Sequence, residues 1–228
     1  MGLHVHDNIP EDLSPVGALK RLQEGNYRFI NNLKLNRNLL EQVNDTKDGQ
    51  WPFAVILSCM DSRTSAELIF DQGLGDIFSI RIAGNVITPG ILGSLEYATA
   101  VAHSKLILVL GHTGCGAIKG ACDDVKFGNL TSLLSKIKPS VDKVDSGIQE
   151  RSSHNQEFVD NVAKVNVYNS VQQIIEESEV IRDLVEKGEA GIVPAMYDVS
   201  TGYVTFFEQE ARIKMLAEHQ NQFSGVTT

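Results

Sequence analysis

Residues 54–63 read Ala54-Val55-Ile56-Leu57-Ser58-Cys59-Met60-Asp61-Ser62-Arg63, and residues 106–116 read Leu106-Ile107-Leu108-Val109-Leu110-Gly111-His112-Thr113-Gly114-Cys115-Gly116. Each stretch opens with an unbroken aliphatic run of strand length. Such runs, bounded by turn residues, are the mark of strands buried on both faces of a parallel sheet. The polar, chemically active residues stand just beyond the carboxyl ends, where open α/β sheets place their ligands. If the two strands are neighbours, Cys59, His112 and Cys115 converge on one point. Two thiolates and one imidazole make a three-ligand zinc site with a vacant fourth position, the pattern of catalytic rather than structural zinc. A zinc finger would need a fourth ligand and paired short spacings, and Cys59 has no Cys-x-x-Cys partner.

Asp61 and Arg63 flank Ser62 directly after the first candidate ligand. One reading is a surface ion pair of small energetic value. The other is that Arg63 keeps Asp61 ionised and oriented beside the vacant metal position. Two thiolates and a neutral imidazole cancel the charge of Zn²⁺. A carboxylate that accepts a hydrogen bond from bound solvent would then aim a lone pair at the substrate. Asp61 as a fourth ligand closing the site is the alternative, so the sequence permits two states.

The rest of the chain bounds this reading. Its 228 residues suit one domain with extensions, 1–45 forming an N-terminal helical arm, 46–208 an α/β core and 209–228 a tail. A net charge of -9 argues against nucleic acid and anionic membrane surfaces as partners. No stretch is apolar enough to span a bilayer and no secretory signal is visible. Three cysteines cannot form a closed disulfide set, so a reducing, cytoplasmic setting is expected. Cys122 reads as an inert helical residue, and His4 and His6 as solvated.

In chain order, Ser14-Pro15 opens a helix with its apolar stripe at Val16, Leu19, Leu22 and Phe29-Ile30, and a second helical pattern runs from Leu33 to Val43. Strands are expected at 53–58, 77–82 and 106–110, with short helices from Ser65 and near Ala117 and a largely buried one over Ile91–Ala102. Residues 123–156 resist assignment, with Pro139 as a breaker. One long helix is expected from Glu157 to Lys187, capped by Gly188. A hairpin, 192–197 with 203–207, closes the sheet at its edge, where Pro194 is tolerable. The tail from Glu208 reads as a polar, fraying helix.

Cys-x-Asp-x-Arg (Cys59, Asp61, Arg63), followed some fifty residues on by His-x-x-Cys-Gly (His112, Cys115, Gly116), resembles the signature of the β-class carbonic anhydrases. The likeness runs from about residue 15 to 208 and includes the leading helix, Asn85, Glu96-Tyr97 and the closing hairpin. It implies four parallel strands plus an antiparallel edge strand, flanked by helices. It also implies a homodimer or tetramer in which the N-terminal helices embrace the partner. The implied reaction is reversible hydration of carbon dioxide to bicarbonate and a proton, by attack of zinc-bound hydroxide, with one Zn²⁺ per subunit. By position, Cys59, His112 and Cys115 match the ligands and Asp61 with Arg63 the catalytic dyad. Gln50 matches a glutamine that reaches the neighbouring subunit's pocket; a plain turn residue is the other reading. Phe78, Ala83 and Tyr97 match apolar pocket walls, which is compatible with ordinary core. Gly116 matches a backbone N–H donor to substrate oxygen, or serves only its turn. In a bicarbonate-switched subgroup a tryptophan, an arginine and a tyrosine form an inhibitory site. Arg81 and Tyr197 match two of these, but Ile56 stands where the tryptophan would be. The resemblance therefore points to the plant-like subgroup that lacks the switch, with Asp61 paired to Arg63 and the fourth position left to water.

Overall fold

A computed structural model describes residues 13–144 and 147–212. The expectations for His4 and His6, and most of the tail, fall outside these residues. The elements run α1 (Pro15–Ile30), α2 (Leu39–Asp45), β1 (Ala54–Ser58), α3 (Ala66–Ile69), β2 (Ile77–Arg81), α4 (Pro89–Glu96), β3 (Leu106–His112), α5 (Gly116–Cys122), α6 (Gly128–Ser135), α7 (Lys138–Lys143), α8 (Gln156–Glu177), α9 (Glu179–Lys187), β4 (Gly191–Tyr197) and β5 (Val204–Phe206). They build a five-stranded sheet in the order β2-β1-β3-β4-β5. The first three pairings are parallel and β4–β5 is antiparallel, as expected.

Alternation sorts the strand residues between two apolar layers. Ala54, Ile56, Leu106, Leu108, Leu110, Val193 and Ala195 face Ala18, Leu19 and Leu22 of α1. Val55, Leu57, Ile107, Val109 and Ile192 face Leu92 and Leu95 of α4, Val167, Val171 and Ile174 of α8, and Ile181 of α9. Every residue of β1 and β3 is buried, which explains why these segments read as continuous rather than alternating apolar runs. The leading helix thus lies on its own chain's sheet. Its Ser14 cap accepts from the Gly17 N–H. A Cβ at Gly25 would stand 1.8 Å from the Phe70 carbonyl oxygen, so glycine there permits the close approach of α1 to α3.

Several expected boundaries move. The second helical pattern forms only from Leu39, where the Asn38 side chain caps Glu41 N–H; residues 33–38 run without regular structure. The expected Ile91–Ala102 helix starts at Pro89 and widens to a π-turn at Tyr97–Val101. It is not largely buried: Tyr97 and Val101 are exposed. The unassigned 123–156 region holds α6 and α7, and Pro139 begins a helix rather than breaking one, because the first turn needs no N–H from it. The expected long helix is two. Ser178 leaves helical geometry and its hydroxyl accepts the Ile181 N–H, terminating α8 and capping α9. Gly188 ends α9 at φ 77°, as expected. The hairpin closes the sheet at its edge as expected, with β5 outermost and β4, which carries Pro194, one strand in. Pro194 is tolerated because its missing N–H falls on the β5 side, where that three-residue strand has already ended; its carbonyl there accepts Phe207 N–H. After Phe207 comes a single 3₁₀ turn at Glu208–Glu210, and Arg212 bridges to Ile192.

One buried carboxylate fastens the arm. Asp71, its side chain 3% exposed, receives Arg28 Nε and Arg37 Nη1 at 2.5 Å each and the Leu35 N–H at 3.2 Å. Burial alone would raise its pKa, but these donors outweigh it and hold the group below the ordinary carboxylate value. Its stabilising effect is therefore complete above the unfolded-state pKa of about 4 and is lost as pH falls through and below that value. Asp71→Asn keeps the left-handed backbone that asparagine tolerates (φ 47°), removes the charge and replaces one of the two accepting oxygens with an N–H₂ donor. It is expected to lower unfolding free energy by about 3 kcal/mol at pH 7, because two poorly solvated guanidinium groups lose their counter-charge. The deficit should shrink towards pH 3 in urea titrations at successive pH values.

Candidate metal centre

The register of β1 on β3 sets Ser58 opposite Leu110. Cys59 and Gly111–His112 therefore emerge side by side at the same end of the sheet. Thr113 and Gly114 turn the chain, with Gly114 at φ 64°, and Cys115 precedes the first turn of α5. Cys59 Sγ, a ring nitrogen of His112 and Cys115 Sγ come within 4.8 Å of one another, all three residues buried. Asp61 is not part of this converging set.

These atoms suit a zinc ion. The two sulfurs are 3.9 Å apart. That is far beyond the S–S bond of about 2.05 Å and near the roughly 3.8 Å that two sulfurs span across a tetrahedral ion at about 2.3 Å. His112 Nδ1 lies 3.0 Å from the Thr113 carbonyl, which fixes the N–H there. That leaves Nε2, buried and without a partner, as the lone pair for a metal. Cys59 shares a hydrogen bond with Cys115 and receives one from the Gly84 N–H at 3.4 Å, which together favour its thiolate over its thiol. Cys115 is held up by the same sulfur–sulfur contact and by burial.

Asp61 is committed to Arg63. Arg63 Nε and Nη2 meet its two carboxylate oxygens at 2.9 and 2.8 Å, and the Arg63 backbone N–H adds a bond of 3.0 Å. The side-chain hydrogen bonds from Arg63 are the main cause that holds Asp61 far below the usual carboxylate range. The loop carrying Cys59 and Asp61 is fixed by two residues whose part no spacing announced. Thr64 Oγ1 donates to the carbonyls of Cys59 and Asp61, and Arg81 donates to the same two carbonyls and to Thr64. The guanidinium of Arg81 is therefore engaged by protein groups.

The remaining candidates divide. Ala83 opens the turn whose Gly84 N–H reaches Cys59, and Gly116 follows Cys115; both border the metal group. Phe78 and Tyr97 form an edge-on ring pair, centroids 6.2 Å apart, in a separate groove of about 350 Å³ shared with Gly90, Gly93 and Ser94. Phe78 is opposite Val55, four residues before Cys59, or about 13 Å along the strand. Gln50 is exposed in a third groove with Val43 and Leu74. Within one chain the structure does not bring Gln50, Phe78 or Tyr97 to the metal group.

The carbonic anhydrase family profile matches residues 54–204, which include Cys59, His112, Cys115 and the Asp61–Arg63 pair. This chain belongs to the carbonic anhydrases. Carbonic anhydrase 2 of Mycobacterium tuberculosis is 36% identical over 190 residues, covering 83% of this chain and 91% of that protein. The carbonic anhydrase of Mycolicibacterium smegmatis is 36% identical over 192 residues, covering 84% and 92%. Among solved structures, the β-carbonic anhydrase CafA of Aspergillus fumigatus superposes with a TM-score of 0.66 at 25% identity, covering 85% of this chain and 90% of that one. The five-stranded sheet and the Cys-His-Cys group place the chain in the β class of the family.

Cys59→Ser, His112→Ala and Cys115→Ser are each expected to reduce zinc from one ion per chain in the wild type to a small fraction of that, measured by elemental analysis after gel filtration. Retained sheet content by circular dichroism would show that the loss is local.

Proposed function

We propose that this carbonic anhydrase hydrates carbon dioxide reversibly to bicarbonate and a proton, using zinc held by Cys59, His112 and Cys115. One observation carries the reading: three candidate ligands converge beside a carboxylate that is already paired with arginine, so that a zinc held there would keep a fourth position for solvent. When bound, zinc supplies a Lewis acid that makes solvent nucleophilic near neutral pH. Asp61 stays ionised throughout the physiological range and accepts a hydrogen bond from the attacking solvent, which sets the direction of its lone pair. Arg63 fixes the carboxylate plane through two parallel bonds, a geometry lysine cannot supply. The Gly116 N–H is the proposed donor to a substrate oxygen, and Ala83 borders the apolar approach.

The absence of tryptophan at position 56, and the use of Arg81 by its own loop, support assignment to the subgroup without a bicarbonate switch. A homo-oligomer is part of the same proposal. Leu33, Leu35, Leu39, Leu40 and Val43 leave a run of exposed apolar side chains along the arm, which a second copy would cover. Gln50, Phe78 and Tyr97 would reach a pocket only across such an interface. The protein has no helix among the described residues long and apolar enough to cross a membrane; work in the cytoplasm accords with its free cysteines.

Stopped-flow hydration of carbon dioxide by the zinc-loaded protein tests the activity; turnover no faster than that of Cys59→Ser would overturn it. Arg63→Ala separates charge from orientation. Without arginine the Asp61 pKa should return towards about 4, still ionised at pH 8. A fall in kcat/KM on the order of 100-fold at pH 8 is therefore expected from misorientation alone. Arg63→Lys should recover little of it.

A further inference from the structure

The four residues from His112 to Cys115 carry two ligands, and most of their polar groups are held nearby. The Thr113 N–H donates to the Tyr197 carbonyl at 3.0 Å, and Thr113 Oγ1 accepts from the Val199 N–H at 3.1 Å. Gly114 differs. Its left-handed backbone (φ 64°) points its N–H away from the turn, and the space around its Cα is open, with only Gln156 Nε2 reaching 4.0 Å from a Cβ built there. No tight packing surrounds the position a side chain would take here. What holds it is a hydrogen bond from its N–H to Asp160 Oδ1, 2.9 Å long, from a residue 46 positions away. Gln156, one turn earlier on α8, donates to the same oxygen at 2.8 Å.

We propose that Asp160 is a positioning residue for the metal centre: by accepting the Gly114 N–H, its carboxylate sets the turn that fixes the separation and direction of His112 and Cys115. α8 itself is anchored without this contact. Phe158, Val159, Val162 and Val167 are buried, and Asn166 and Ser170 donate to the carbonyls of Gly84 and Asn85. Its distance from β3 is set at Gly111, where a Cβ would collide with Val167 and Met196. The helix is thus a fixed platform from which one half-buried carboxylate reaches the ligand turn, while Asn166 reaches the Gly84 turn beside Cys59. Removing the carboxylate frees the glycine without freeing the helix.

The inference rests on the zinc reading, so its test measures the metal rather than turnover alone. Asp160→Ala and Asp160→Ser are compared with Asp160→Asn, whose amide oxygen can accept the same N–H. The readouts are zinc release to a chelator, the visible spectrum of the cobalt(II)-substituted protein, and melting temperature. Outer contacts to ligands are typically worth 10–100-fold in metal affinity. Both truncations are expected to release zinc about tenfold faster or more and to shift the cobalt spectrum, with melting temperatures close to wild type. Asp160→Asn should stay within about threefold of wild type. Wild-type release rates in the truncations, equal loss in Asp160→Asn, or failure of both truncations to fold would each overturn the proposal. A wild-type chain that holds zinc but does not hydrate carbon dioxide would overturn the catalytic reading without touching these measurements.

Discussion

The metal centre depends on the pairing of β1 with β3 in one register. With Ala54 opposite Leu106 and Ser58 opposite Leu110, the two loops leave the sheet at the same height, so a cysteine from one meets a histidine and a cysteine from the other. A slip of one residue would move every β1 side chain to the opposite face and carry Cys59 away from its partners. Such a slip is opposed on both faces, because Ile56 and Leu57 each fill a different fully buried layer. Hydrogen bonds at the other end add to it: Lys105 N–H donates to the Phe53 carbonyl and Ser104 Oγ to that of Pro52. Apolar packing, which has no chemistry of its own, thereby sets distances among three chemically active atoms.

Around this centre the protein separates tasks by loop. The 59–64 loop carries one ligand and the Asp61–Arg63 pair, and is clamped by Thr64 and Arg81. The 112–115 turn carries two ligands and is tied to the end of β4 through Tyr197 and Val199. The turn at Ala83–Asn85 supplies the N–H that reaches the Cys59 sulfur. Each loop is short and each is fixed by polar contacts to a different element. This is the condition for ligands to hold their geometry before a metal arrives, so that binding need not order the chain.

The strands and ligands were legible because their signals are local. Fully buried strands leave unbroken aliphatic runs, and Cys59, His112 and Cys115 stand at or within three residues of their ends. The misread elements were those where one side chain overrules a pattern. Ser178 splits an apolar stripe that reads as continuous, because its hydroxyl caps the next helix better than it continues the last. Pro139 looked like a breaker and begins α7, because proline's effect depends on its position in the helix. Pro194 looked like an edge residue and lies in an interior strand, because its neighbour β5 is too short to need its N–H.

By itself the sequence determined the class of fold and three candidate ligands, since these are encoded by side-chain type at strand ends; it left Asp61 open between Arg63 and a metal, and the structure pairs it with Arg63. Only the tertiary structure decided which contacts hold those ligands in place. Thr64 and Asp160 look like any threonine or aspartate, and Arg81 was matched to a different role, until the chain brings them to carbonyls or an N–H beside the ligands. It alone also placed Gln50, Phe78 and Tyr97 away from the metal group. The reason is physical: hydrogen bonds across 17, 22 or 46 residues form only after the sheet has set the relative positions of the elements, and nothing in the local sequence records where an unsatisfied group will end up.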